Sequence, residues 1–478
     1  MPSTPTVEPR IARGLRDLLP DQMLARQAMV QTIRGVYENY GFVPLMTPAI
    51  EYIDVLKGSA AGAEALASIF QVTGPENDAL GLRFDLTVPL ARVVAQYQQL
   101  PRPFRRYQES PVWRADKPGP GRFREFTQFD LDSVGVESEV ADTEIIAGMC
   151  DTLSALKIDR YLVRFSSRSV LNLLLDFAEI PKEQGVDVFR VLDKLDKVGP
   201  EKVRKELMEG YVDESGDPIT GLGLQGQQVD RIETFLQVKA ERRADVVAQL
   251  RELFSAVSDA AAEVDVVDRI SRHLYALGYG DERVALDLSI ARGLAYYTGP
   301  VFEAVVLDAP QFGSVFGGGR YDDLVLRFLD ERIPATGASI GVDRLLAALT
   351  HLKKLGERKA TARVLVINMD RALIDDYLAI TWELRRAGIP TELYLGHEKS
   401  MGKQLKYGDL CEIPIALLYG SNEKSQGIVT LKDMAIGREK AAHVGDREEW
   451  LASRPGQRAV PRAELVDAVR KLLAEIEP

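Results

Sequence analysis

Apolar and polar positions alternate along the chain with two different periods, and the switches between them mark its elements. Met29, Ile33, Val36, Tyr37 and Tyr40 form a helical stripe, predicting a helix from about Gln22 to Tyr40 that Gly41 ends. The stretch Phe42 to Glu51 carries Pro44 and Pro48 and is predicted to be extended. Short strands are predicted at Phe70 to Gly74 and Leu80 to Phe84. From Phe104 to Gly135, two aromatic-rich runs flank Lys117-Pro118-Gly119-Pro120-Gly121, the pattern of a long hairpin. Period-two alternation puts Phe126, Gln128, Asp130 and Asp132 on one face of its second strand.

A helix follows from Glu139 to Leu156, with Ile145, Ile146, Met149, Leu153 and Leu156 inward, then a strand from Arg160 to Ser166. Residues 186–262 read as a mostly helical block, with stripes at Val188, Leu192, Leu195 and at Ile232, Phe235, Leu236. Gly216 to Gln228 reads as loop. Val284 to Ser289 is a predicted strand, and Thr336 onward a strand passing into a helix that ends near Leu355. Beyond the polar linker Lys353 to Ala360, strands and helices alternate through residues 362–478, which predicts a separate α/β domain.

Composition narrows the function classes. At 478 residues the chain is long enough for two or three domains, and 46% apolar with 27% charged is the balance of a globular protein. No apolar run approaches the roughly 18 residues of a membrane span, and the first 13 residues read as a loosely attached arm without a signal-peptide core. The two cysteines, Cys150 and Cys411, cannot build a disulfide framework and are expected to be buried as small hydrophobes, so a reducing, cytoplasmic setting is expected. His273, His351, His397 and His443 lack metal-ligand spacing, and no metal is assigned to protein ligands. The net charge of −11 opposes nucleic-acid binding only weakly, since a local basic face suffices at contact.

Several residues carry candidate chemistry. Arg114, Arg122 and Arg124 cluster around the hairpin loop, where forked guanidinium groups suit phosphate and carboxylate. The bland alternative is a hairpin with a charged, solvated face. Asp85 and Thr87 offer a carboxylate and a hydroxyl, an acceptor set for an ammonium group. Thr87 followed by Pro89 is equally good helix-start chemistry. Gly317-Gly318-Gly319 allows either close approach of backbone to a ligand or a turn. Arg344 stands near a helix N-terminus, where a cation is poorly placed unless it has an anionic partner.

The hairpin wording GRFREFTQFDLDSVG resembles motif 2 of the class II aminoacyl-tRNA synthetases, in the eukaryotic-type form of the histidyl-tRNA synthetase family. Ala291 to Gly299, containing Arg292, Tyr296 and Tyr297, is similar to that family's signature RGLDYYTG, with Ala295 in place of its Asp. Ser314 to Asp322, with Tyr321, resembles the second signature. Thr336 to Leu346 resembles motif 3, with Asp343 for a usual Glu, and residues 22–51 resemble motif 1, the family's dimer interface. The resemblance implies an α+β class II catalytic domain, an antiparallel sheet flanked by helices, over residues 1–185 and 263–355. A helical insertion at 186–262, which in the family covers the tRNA acceptor stem, would interrupt it. An α/β anticodon-binding domain at 362–478 would complete the chain.

By the same resemblance the chain is a homodimer that joins L-histidine to tRNA(His), using ATP with substrate-bridging Mg²⁺. Arg114 and Arg292 would flank the α-phosphate, with Gln128 beside them. Asp85, Thr87, Arg114, Gln128, Asp132, Arg292, Tyr296, Tyr297 and Tyr321 would hold histidine, Asp132 taking an imidazole N–H. Arg114, Asp116, Arg122, Phe123 and Arg344 would hold ATP, the adenine lying between Phe123 and Arg344. A pocket that pairs the imidazole donors can reject apolar analogues by roughly 10⁴–10⁵ without editing. Two rivals compete with this reading. A regulatory paralogue would lack the anticodon domain and the second arginine. A synthetase for another amino acid is allowed by motif 2 but not by the two histidine signatures.

Overall fold

The structure, a computed structural model, describes residues 7–57, 68–115, 117, 119, 122–213, 216–290, 297–355, 358–436 and 456–476. The chain divides into two compact units, one of residues 1–17 with 28–355 and one of residues 18–27 with 356–478.

The first unit is built on an eight-stranded sheet. Its order is Val43–Pro44, Phe104–Trp113, Glu125–Val134, Ala335–Gly341, Ser314–Arg320, Pro300–Val306, Tyr161–Ser167 and Val284–Leu286. The six inner strands are antiparallel, and the outermost strand at each edge pairs parallel to its neighbour. The hairpin of the sequence pattern is real, running as Phe104–Trp113 and Glu125–Val134 in unbroken register. Its polar face is not solvated. Gln128, Asp130 and Asp132 are buried, Asp130 and Asp132 against Arg106 and Tyr321, while the opposite face of the strand, with Leu131, meets the helix Val140–Ala155 at Gly148.

Buried arginines tie this sheet to its surroundings. Arg320 donates to Asp142 Oδ2 at 2.6 Å and to the carbonyl oxygens of Val136 and Ser138. Arg83 donates to the carbonyl oxygens of Thr47 and Pro111 at 2.7 and 2.9 Å. Each guanidinium thereby satisfies backbone acceptors that its own burial would otherwise strand. Cys150 is buried, and burial pushes its thiol up to about 12. Cys411 is only partly covered, unlike the expectation for both.

The stretch read as loop at Gly216 to Gln228 is more ordered than its composition predicts. Pro218–Thr220 pairs with Gly210–Val212, and Gly216, at φ +90°, occupies the turn between them. A helix starts at Gly226, where Gln228 Oε1 accepts the Gln225 N–H. Glycine and glutamine here supply a turn and a helix cap rather than disorder.

In the second unit, five strands run in the order Thr391–Leu393, Val364–Val366, Ile415–Leu418, Ile428–Asp433 and Gln457–Pro461. Val364, Val366, Ile415 and Leu417 pack with the helices Ile374–Arg386 and Leu465–Ile476. Leu365, Ile367, Ala416 and Leu418 pack on the opposite face, with Leu405 and Tyr407 of the helix Met401–Leu410. A sheet buried on both faces explains its continuously apolar strands.

Candidate active site

A cleft of ≈510 Å³ opens over the inner strands of the first unit. Among its walls are Arg114 at the end of the first hairpin strand, Arg122 and Phe123 at the start of the second, and Arg344 at the start of the helix Val342–His351. Asp85, Thr87, Gln128 and Tyr297 also line it. Residues spread over more than two hundred positions thus converge because the sheet sets the hairpin directly beside the 300–341 strands.

Four of these side chains, Arg114, Arg344, Asp85 and Gln128, have a local anchor. Arg114 Nε donates to the Phe84 carbonyl at 3.0 Å, and its guanidinium lies 5.2 Å from the Phe126 ring centroid. Arg344 Nη1 donates to the Ser314 carbonyl at 2.7 Å. Asp85 Oδ1 accepts the Val88 N–H at 3.2 Å, so Asp85, just ahead of the N-cap Leu86, satisfies a first-turn N–H of the helix Thr87–Gln96, a task the sequence pattern offered to Thr87. Gln128 Nε2 donates to Ser339 Oγ at 2.7 Å. Its Oε1 is buried and accepts from no described residue, which leaves an acceptor for a ligand N–H.

Asp132 and Tyr321 do not line this cleft. Asp132 lies four residues further along the Gln128 strand and is buried with Tyr321, which follows the strand Ser314–Arg320 and whose hydroxyl donates to Asp132 Oδ1. Arg106, fully buried, has Nη2 2.9 Å from Asp132 Oδ2, 3.8 Å from Asp130 Oδ2 and 3.2 Å from the Leu86 carbonyl. Burial raises both carboxyls, against the opposing pull of Arg106, and the Asp130 carboxyl reaches about 7. Asp116, Arg292 and Tyr296 lie outside the described residues.

The glycines have steric reasons. A Cβ on Gly337 would sit 2.0 Å from Asp132 Oδ1, and one on Gly318 would sit 2.1 Å from the Gly337 carbonyl oxygen. Gly317 and Gly318 also line the cleft, so the same bare backbone serves the ligand side. Sequence reading overlooked Phe126, Ser339 and Asp193 among the lining residues. Phe126 was legible, since it shares the strand face of Gln128. Asp193 comes from the inserted helical block, and nothing in its local pattern marks it.

Three guanidinium groups beside four phenylalanine residues make a receptor for an anion that carries an aromatic system, which is the description of a nucleotide. The antiparallel sheet, the hairpin arginine and the helix-start arginine together define the catalytic domain of a class II aminoacyl-tRNA synthetase. Residues 14–345 match the histidyl-tRNA synthetase family and residues 362–472 match an anticodon binding domain. The chain belongs to the histidyl-tRNA synthetase family, whose members charge tRNA(His) with histidine and use ATP as substrate. The histidine–tRNA ligase of Cereibacter sphaeroides is 44% identical over 97% of both chains. That of Roseobacter denitrificans is 43% identical over 99% of this chain and 98% of its own. A crystal structure of a Nostoc histidyl-tRNA synthetase superposes with a TM-score of 0.81 at 29% identity, covering 98% of this chain and all of the other.

Proposed function

We propose that the chain is a cytoplasmic, homodimeric histidine–tRNA ligase whose cleft activates histidine before transferring it to tRNA(His). In the first step the histidine carboxylate attacks the α-phosphorus of ATP in line, and pyrophosphate leaves. In the second, a hydroxyl of the 3′-terminal ribose attacks the acyl carbon and AMP leaves. Little covalent work falls to the protein; it holds two anions together and balances the charge that grows on the α-phosphate. Arg114 does this from the hairpin side and Arg292 from the other.

Asp85 and Thr87 hold the α-ammonium group, and Tyr296 and Tyr297 belong to the histidine-binding set. Gln128 Oε1, the buried acceptor with no described partner, is the observation that carries the reading, because imidazole and ammonium groups both present N–H donors. Asp132, fixed by Arg106 and Tyr321, takes the imidazole N–H deeper in. The adenine lies among Phe123, Phe126 and Arg344, with Asp116 accepting from it and Arg122 on the phosphates. Phe126 is added to the expected pair because it lines the same cleft.

Mg²⁺ enters with the triphosphate as part of the substrate. No group of three His, Cys, Asp or Glu that could cage a metal occurs among the described residues. The dimer reading is supported by Val43, Met46, Ile50 and Tyr52, which are 43–73% exposed along one extended segment and invite a covering surface. No described helix is long and apolar enough to cross a membrane. The match of residues 362–472 to an anticodon binding domain favours tRNA charging over a regulatory paralogue.

ATP–pyrophosphate exchange with each of the twenty amino acids tests the reading. Histidine alone is expected to support exchange. Exchange with a different amino acid, or none with histidine, overturns it.

A further inference from the structure

Arg16 stands outside the cleft yet touches two of its walls. Its guanidinium carbon lies 3.9 Å from the Phe123 ring centroid, and its Nη2 lies 2.5 Å from Asp343 Oδ1. The other Asp343 oxygen accepts the Thr127 N–H at 2.7 Å. Phe123 and Asp343 line the cleft, whereas Arg16 does not. The arm carrying Arg16 is itself pinned to the hairpin. Gly14 turns at φ +86°, and its carbonyl accepts the Arg124 N–H at 2.8 Å. One side chain therefore links the N-terminal arm, the second hairpin strand and the helix that bears Arg344.

We propose that Arg16 is a positioning residue for the ATP side of the cleft. Two physical effects combine. The guanidinium covers one face of the Phe123 ring and fixes the plane of its other face. It also neutralises the Asp343 carboxylate, whose side chain is only 9% exposed and which would otherwise present a weakly hydrated anion to a triphosphate. Both effects act on the nucleotide, since neither Phe123 nor Asp343 belongs to the proposed histidine side. The inference rests on assigning ATP and histidine to this cleft.

The test is steady-state pyrophosphate exchange by the full-length chain and its Arg16→Ala and Arg16→Lys variants, titrating ATP and histidine separately. Arg16→Ala is expected to raise KM for ATP about tenfold and to leave KM for histidine within about twofold. Arg16→Lys keeps the charge against Asp343 but lacks a planar group to stack, so its KM for ATP should fall between the two. Thermal melting of each variant reports folding, and the lysine variant carries the comparison if the alanine variant is unfolded. Equal rises in both KM values, or an unchanged KM for ATP, overturn the role of Arg16. A wild-type chain with no histidine-dependent exchange refutes the functional reading instead, so the two failures are distinct.

Discussion

The Arg106 guanidinium lies 2.9 Å from Asp132 Oδ2, and both side chains are sealed from solvent. Asp130 is buried beside them, so two carboxyl groups share one guanidinium. Removing the cation strands that pair in a low-dielectric interior, and the loss of one partner from a buried ion pair typically costs about 3–5 kcal/mol. Arg106→Met should therefore lower unfolding free energy by about that amount in urea titration. A loss below about 1 kcal/mol would show that the carboxyls are stabilised by other groups.

The same cluster sets a pH dependence. Burial raises the Asp130 carboxyl to about 7, far above its unfolded value near 4. The folded state then holds a proton that the unfolded chain has released between those values. This contribution to stability is full below about pH 4 and is lost as pH rises through about 7. Asp130→Asn cannot ionise. Its stability relative to the wild type should increase by about 1–3 kcal/mol between pH 4.5 and 8. A constant difference across that range would rule the titration out.

Gly337 faces Asp132 across the sheet, and an added Cβ would meet Asp132 Oδ1 at 2.0 Å and the Leu131 carbonyl oxygen at 2.6 Å. The second contact is backbone, which cannot swing aside. Gly337→Ala should cost about 1–3 kcal/mol of stability and raise KM for histidine through the displaced carboxylate. Unaltered melting together with unaltered KM would contradict the register of these strands.

Arg114 is only partly buried, held by its Nε bond to the Phe84 carbonyl and its place near the Phe126 ring. Arg114→Ala should leave melting within a few degrees of wild type. Its exchange rate should fall roughly 10²–10³-fold, the usual cost of removing a transition-state stabiliser. Arg292→Ala is expected to behave alike. Stopped-flow or radiolabelled pyrophosphate exchange reads both, and retained exchange in either variant would remove that arginine from catalysis.

Much of the fold was legible because local patterns suffice for it. The hairpin was readable from alternation around a Pro/Gly loop, and the C-terminal α/β unit from strands and helices taking turns. Among the described residues there, the strand Gln457–Pro461 and the helix Ser421–Gln426 escaped. The first alternates weakly because it is an edge strand with exposed positions, and the second spans barely more than one turn. Among candidate site residues, alternation alone put Gln128, Asp130 and Asp132 on one strand face, whereas the roles given to Asp85, Thr87, Tyr297, Tyr321 and Arg344 came from the family resemblance. Arg16, which braces Phe123 and Asp343 from outside the cleft, and Asp193, which lines it, were not found, since each comes from a segment whose own pattern says nothing about its neighbours.

The sequence alone determined the element types, the hairpin and the residue kinds able to hold an anionic nucleotide, because these depend on periodicity and side-chain chemistry within a few positions. Only the tertiary structure decided that Gln128, Asp130 and Asp132 are buried rather than solvated. It also decided that Arg106 and Tyr321 hold Asp132 and that Arg16 neutralises Asp343. Those relations join residues up to 327 positions apart, and burial and charge pairing at that separation are set by how strands assemble into the sheet, not by any local run of residues.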